Sequence, residues 1–268
     1  MNINEILRKN LTELTADEQK IIVSELCRRF TIELAKQDKS GIYRLTQYTL
    51  AYHSNKMEGS TLTEDQTRCL FDDGILPASQ DEYKVKDIEE AQGHFRMFHE
   101  VVHTYSEPLT QEQIKNYHFR LKQGVFEDWE NGYVCGEYKS RTNAVSDIVT
   151  ARPEEVEEQI ELLLEWYQSQ RVSIDVLAEF HARYEMIHPH QDGNGRTGRM
   201  IMFKECLCNG IIPVMITKER ESVYKKELNY AQKNGDYSSL ADVFRASQQG
   251  YYTDIAIYLT EMKRLKKY

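Results

Sequence analysis

Between residues 188 and 199 the chain reads HPHQDGNGRTGR: two imidazoles, a carboxylate, three glycines and two guanidinium groups in twelve positions. Three chemistries use such a set. In the first, His188 and His190 join Cys206 and Cys208 as zinc donors. H-x-H and C-x-C are not usual structural-zinc spacings, however, and helix positions two apart face away from each other. In the second, Gly193, Gly195 and Gly198 satisfy the G-x-G-x-x-G of a dinucleotide site, with Glu219 about 20 residues on. That pattern requires a strand directly before its first glycine, and "HARYEMIHPHQD" reads as helical and then polar.

The third chemistry is phosphate binding at a helix start. Glycines let successive backbone amides converge, and the helix dipole adds positive charge at that point. Arg196 and Arg199, about one turn apart, project to nearly the same side and can clamp phosphate oxygens. Asp192 is placed to hold a divalent cation, Mg²⁺ or Mn²⁺, bridging phosphates. His188, at the end of the preceding helix, is placed to take a proton from an attacking hydroxyl. A capped loop of solvated charges around a core histidine is the plain alternative. The chain contains no Walker A pattern.

The elements that must position these residues read as helices. In "PEEVEEQIELLLEWYQ", Val156, Ile160, Leu163, Leu164 and Tyr167 recur at helical spacing behind Pro153. In "SIDVLAEFHARYEMIH", Ser173 is the expected N-cap of a helix with Leu177, Phe180, His181, Tyr184 and Ile187 on one face. Thr63 with Gln66, and Thr110 with Gln113, have capping-box spacing, and their helices run toward Gly74 and Gly124. Further helices are expected from the motif to Gly210, over about 218–233, and over 239–265. Residues 136–153, rich in β-branched and turn residues, break the pattern and read as a loop or short hairpin. The expected class is all-α, divided into a helical segment over 1–80, a catalytic domain over 81–250 and a C-terminal helix over 251–268.

Composition narrows the function. The 268 residues carry 29% charged side chains and a net charge of −9, against the positive surface that nucleic-acid binding needs. The five cysteines are scattered without a framework of spacings, which suggests reduced thiols in a cytoplasmic setting. The N-terminal stretch has no signal-peptide pattern, and no apolar run approaches the ~18–20 residues of a membrane span.

At its motif the sequence resembles the Fic family, whose signature is H-P-F-x-[D/E]-G-N-G-R-x-x-R. Eight of nine specified positions match; the exception is His190, where the family usually has Phe. The resemblance covers roughly residues 85–245, and it implies an all-α domain with a β-hairpin flap. It further implies transfer of AMP from ATP to a Ser, Thr or Tyr hydroxyl of a target protein, which can be the chain itself. His188 would be the general base, Asp192 the metal-holding residue and Gly193, Asn194 and Gly195 the anion hole. Arg196 and Arg199 would grip the β and γ phosphates, and Tyr224 would lie on the adenine side. The flap, Val145, Ser146, Asp147, Ile148, Val149 and Thr150, would pair with the target backbone. Relatives with Lys at the second glycine transfer a terminal phosphate instead, and Gly195 disfavours that reading. A buried imidazole at His190 needs a hydrogen-bond partner where Phe does not. The histidines at 53, 94, 99, 103, 118 and 181 show no ligand spacing and are expected to be structural.

Ser54-x-x-x-Glu58-Gly59 resembles the family's inhibitory pattern, [S/T]-x-x-x-E-[G/N]. Glu58 is expected in the last turn of a helix ending at Gly59, where the dipole disfavours a carboxylate by roughly 0.3–1 kcal/mol and a compensating cation is welcome. The resemblance supplies Arg199 as that cation, which would divert it from the γ phosphate, with Ser54 in support. Some relatives use the same glutamate to hydrolyse AMP from the target.

Overall fold

In the computed structural model, which describes residues 3–77, 82–145 and 147–265, threonine and serine start helices as their spacing predicts. The Gln66 amide donates to Thr63 Oγ1 at 3.2 Å while the Thr63 amide donates to Gln66 Oε1 at 2.9 Å, a complete capping box. At Thr110 one half of the box forms: the Gln113 amide reaches Thr110 Oγ1, but the Gln113 side chain turns to Glu107. Ser173 Oγ accepts from the Val176 amide.

The helices are α1 (Ile3–Ile6), α2 (Ala16–Ala35), α3 (Ile42–Lys56), α4 (Glu64–Asp73), α5 (Val85–Thr104), α6 (Gln111–Lys122) and α7 (Phe126–Glu130), then α8 (Val156–Gln168), α9 (Ile174–Ile187), α10 (Asn194–Cys208), α11 (Glu221–Asn234) and α12 (Ser238–Leu265). The helix expected over 218–233 begins instead as a short 3₁₀ turn, Lys218–Arg220, and becomes α-helical at Glu221. Between α7 and α8 lies an antiparallel hairpin, β1 (Ala144–Val145) and β2 (Ile148–Val149), with Ala144 opposite Val149 and Val145 opposite Ile148. The fold is all-α with this one small flap, as the composition and the resemblance imply. Ser146, at the flap turn, lies outside the described residues.

The helix that follows the motif, α10, is the centre of the assembly. Every residue from Arg196 to Leu207 is buried, so it has no solvent face; a helix buried all round sits inside other helices. α9, α6, α5, α3 and α2 surround it. One cluster of buried apolar side chains runs from Ile6 to Leu259. No helix among the described residues is long and apolar enough to cross a membrane.

Candidate active site

α9 ends at His188, whose backbone is left-handed (φ 52°, ψ 61°). That conformation is uncommon for a non-glycine residue and, being costly, persists only where the surroundings impose it. Here the neighbouring backbone is pinned from several sides. The Lys139 amide donates to Pro189 O at 2.8 Å, and Asn143 Nδ2 donates to His190 O at 2.8 Å. Asn194 clasps the turn: its Oδ1 accepts from the His190 amide and its Nδ2 donates to His190 O, both at 2.7 Å. The Asn194 side chain therefore shapes the loop. Gly193, at φ 82°, is the residue that turns the chain into α10, a conformation glycine adopts at no steric cost. As first-turn residues, Asn194, Gly195 and Arg196 present amides that have no intrahelical acceptor.

His188 Nδ1 lies 3.3 Å from Glu185 O; with Nδ1–H donating there, Nε2 keeps its lone pair. Burial pushes the imidazole pKa down to about 4, so the ring is neutral and basic at neutral pH. It lines a cavity of about 600 Å³ with Gly195, Arg199, Tyr224, Glu58 and Glu185, closed on the flap side by Asp147 and Ile148. The flap tip is tied to α11, since Asn229 Nδ2 donates to Asp147 Oδ1 at 2.9 Å and Lys233 pairs with the same carboxylate. The structure thus brings the motif histidine, the second glycine, one arginine, the tyrosine, the flap and the Glu58 segment around one space.

Glu58 follows the end of α3 rather than lying in its last turn; the helix stops at Lys56 and the Glu58 amide bonds back to Asn55 O. The stop leaves the carboxylate free of the helix axis and aimed at α10. Arg199 Nη2 donates to Glu58 Oε1 at 2.7 Å, while Arg199 Nε and Nη2 reach Ser54 Oγ and Ser54 O at 3.0 Å each. Burial raises the Glu58 carboxyl, but the Arg199 and Arg196 charges outweigh it and hold the group ionised, below its ordinary value. A methyl group placed on Gly195 would sit 2.7 Å from Glu58 Oε1. The carboxylate thus rests directly over the first turn of α10.

Asp192 stands on the other side of that turn. Its Oδ1 accepts from the Gly193 amide and its Oδ2 from Lys122 Nζ, both at 2.7 Å. Burial pushes this carboxyl up, yet Arg196 and Lys122 together hold it well below the usual carboxylate range. Arg196 does not point where its spacing suggested. It is 2% exposed and its Nη1 pairs with Glu90 Oε2 at 2.5 Å, with Asn55 Oδ1 and Asp192 Oδ2 further off at 3.4 and 3.5 Å. Of the two arginines, Arg199 lines the cavity. Tyr224 is buried at the cavity wall, its hydroxyl 2.7 Å from His181 Nε2.

Several partners in this site escaped sequence reasoning. Lys122, 1% exposed, carries Glu90 and Asp128 at 2.8 Å each beside Asp192. His118 is a partner of the motif: its Nε2 donates to Asp192 O at 2.9 Å, and its Nδ1 accepts from the Gly136 amide. Its ring stacks on His190 at 3.8 Å with the planes parallel. His190 Nδ1 finds Glu137 O at 2.9 Å, so the imidazole that replaces Phe is half satisfied; its Nε2 has no hydrogen-bond partner among the described residues. A signal did exist for His118 and Lys122. Ile114, Tyr117, His118, Leu121 and Lys122 recur at i, i+3, i+4, i+7 and i+8, which places both polar residues on the buried stripe of α6.

Residues 108–206 match the Fic/DOC family. Protein adenylyltransferase Fic of Nematostella vectensis is 30% identical over 189 residues, covering 69% of this chain and 43% of that protein. Protein adenylyltransferase fic-1 of Caenorhabditis elegans is 23% identical over 193 residues, or 70% and 37% of the two chains. The matched region spans less than half the length of either curated relative. Among solved structures, a Fic-domain-containing signaling protein from Bacteroides thetaiotaomicron has the same fold, with a TM-score of 0.69 at 22% identity over 88% of this chain and 95% of that one. Residues 134–508 of C. elegans Fic-1 give 0.69 at 21% identity, over 93% and 73%.

Proposed function

Because this chain belongs to the Fic/DOC family, we propose that it is a protein adenylyltransferase, moving AMP from ATP to a Ser, Thr or Tyr hydroxyl of a target protein. The observation that carries the reading is the single cavity shared by His188, Gly195, Arg199 and Tyr224. In this reading His188 Nε2 takes the proton of the target hydroxyl, whose oxygen bonds to the α phosphorus. The α–β bridging bond breaks and pyrophosphate leaves. The first-turn amides of α10 and its dipole hold phosphate oxygens, and Arg199, once free, holds the terminal phosphate. Such chemistry is mostly alignment and charge stabilisation.

The residues present suit a divalent cation. Asp192 is ionised, its side chain is 39% exposed, and its Oδ1 accepts one protein hydrogen bond, leaving a lone pair. A Mg²⁺ or Mn²⁺ ion at Asp192 would neutralise phosphate charge, taking its other ligands from water and substrate. Lys122 and the Gly193 amide fix the carboxylate for that task.

Glu58 is the brake in this reading. It engages Arg199 and lies over Gly195, so a bound triphosphate has neither its cation nor its full cradle. Residues 1–80 then act as the regulatory segment of a catalytic domain over 81–250. Among the described residues the two-residue strands of the flap pair only with each other, which suits strand addition by the target backbone. A second direction is supported by the ionised Glu58 carboxylate in the same cavity: it can orient a water for hydrolysis of AMP from a modified target.

The test is to incubate wild type, Glu58→Gly and His188→Ala with ATP labelled at the α or the γ phosphate. AMP transfer puts α label on protein, on the target or on the chain itself. γ label alone means phosphoryl transfer, and neither label means a nucleotide-binding module without turnover.

A further inference from the structure

Beside Glu58 and Asp147, the cavity holds a further carboxyl that the proposed reaction does not use. Glu185 lies one turn before His188 on α9, is 6% exposed and lines the same space. Its Oε2 is 3.9 Å from His188 Nδ1, beyond hydrogen-bond reach, and its Oε1 has no hydrogen-bond partner among the described residues. Room for it is made by α10: a methyl group on Gly198 would overlap Glu185 Oε1. That accounts for a glycine inside a buried helix, where it costs about 1 kcal/mol relative to Ala.

The groups facing Glu185 decide its charge. His188 and Tyr184 come from α9, Arg199 from α10, Glu58 from the turn after α3 and Tyr224 from α11, with Lys225 and Lys226 and the flap's Asp147 on the cavity wall. Arg199 is already matched by Glu58 at 2.7 Å and by Ser54. Arg199 donates to Glu58 and not to Glu185, whose carboxyl has no hydrogen-bond partner among the described residues. Burial, with Glu58 adding to it against Arg199, pushes Glu185 up to about 8. Two carboxyls in one site with their pKa values driven apart divide the acid and base roles between them. A protonated carboxyl is also the only form of this side chain that donates a hydrogen bond.

We propose that Glu185 is a nucleotide-binding residue that works as a neutral carboxylic acid, its carboxyl O–H donating to a phosphate oxygen in the cavity it lines. This rests on the nucleotide reading of the cavity. An ionised Glu185 would instead set a second negative charge against the phosphates, so binding is lost as the proton leaves.

The test is the ATP affinity of the full chain by titration calorimetry between pH 7 and pH 9, for wild type, Glu185→Gln and Glu185→Ala. Wild type should lose about tenfold in affinity across this range, the fall expected when one group titrating at about 8 must stay protonated. Glu185→Gln keeps a neutral donor and should bind at pH 7 as wild type does, with no such fall. Glu185→Ala should bind more weakly at pH 7. Equal pH dependence in wild type and Glu185→Gln, or full affinity in Glu185→Ala, overturns the proposal. If the variants do not fold, infrared difference spectra of wild type serve: the protonated carboxyl band should shift when ATP is added at pH 7, and an unmoved band overturns it. Absence of ATP binding at every pH refutes the nucleotide reading itself, and this inference with it.

Discussion

Replacing Glu58 by Gly isolates the brake, and its effect can be sized from the contact. Arg199 is 8% exposed in its side chain and Glu58 35%. Breaking a fully buried pair costs about 3–5 kcal/mol, while exposed pairs contribute roughly 0–1 kcal/mol. A half-shielded pair at 2.7 Å belongs between these, near 2–3 kcal/mol, discounted for the water that reaches Glu58. At 1.4 kcal/mol per decade this is a thirty- to hundredfold change in the population of free Arg199. Two bonds from Arg199 to Ser54 survive the substitution, which argues for the lower part of that range. Removing the carboxylate also uncovers Gly195. The assay is the initial rate of α-label incorporation from ATP by wild type, Glu58→Gly, and Glu58→Gly with Ser54→Ala. The expected order is a rise of at least tenfold for Glu58→Gly and a further few-fold when Ser54 Oγ is also lost. An unchanged rate in Glu58→Gly, in a protein whose His188→Ala variant is dead, would falsify the brake.

Other substitutions and conditions probe separate parts of the site. Lys122→Met leaves Asp128 without its cation and Glu90 and Asp192 with Arg196 alone, and should lower stability by about 2–4 kcal/mol in denaturant unfolding; a loss under about 1 kcal/mol would show that the network carries little. The pH dependence of Glu58→Gly reports on His188. Its pKa is lowered to about 4 and only the neutral ring accepts a proton, so transfer should be nearly undiminished at pH 5. An ordinary histidine would have lost about thirtyfold there, and a limb near pH 6.5 would contradict a buried base. His190→Phe removes the unpartnered Nε2 but also the donor to Glu137 O, keeping the stack on His118. These offset, and thermal unfolding should place the variant within about 1 kcal/mol of wild type.

The helices and the flap were readable because their signals are local: apolar residues at helical spacing, threonine and serine caps, and one β-branched stretch without that spacing. Half of the Thr110 box was misjudged because Gln113 had a second acceptor within reach, Glu107. The site was legible where its residues are adjacent. His188, Gly195 and Arg199 lie within twelve positions, and Glu58 was found through a resemblance, 141 residues from its partner. What could not be read is long-range pairing. Spacing places Arg196 beside Arg199, but Glu90 on α5 reaches Arg196 first and draws it away from the cavity. Lys122 meets Asp192 across 70 residues. A lysine and a histidine on an apolar stripe were the visible clue, and they are informative because a buried charge requires a partner.

The central claim is that the turn entering α10 holds a triphosphate with its α phosphorus within reach of a hydroxyl activated by His188. Intact-mass spectrometry of the Glu58→Gly chain after incubation with ATP and Mg²⁺, with released pyrophosphate counted in parallel, tests it most directly. AMP adducts with one pyrophosphate per adduct, both absent in the Glu58→Gly, His188→Ala double variant, are expected. An adduct of phosphate with ADP released, or AMP adducts that persist without His188, would contradict it.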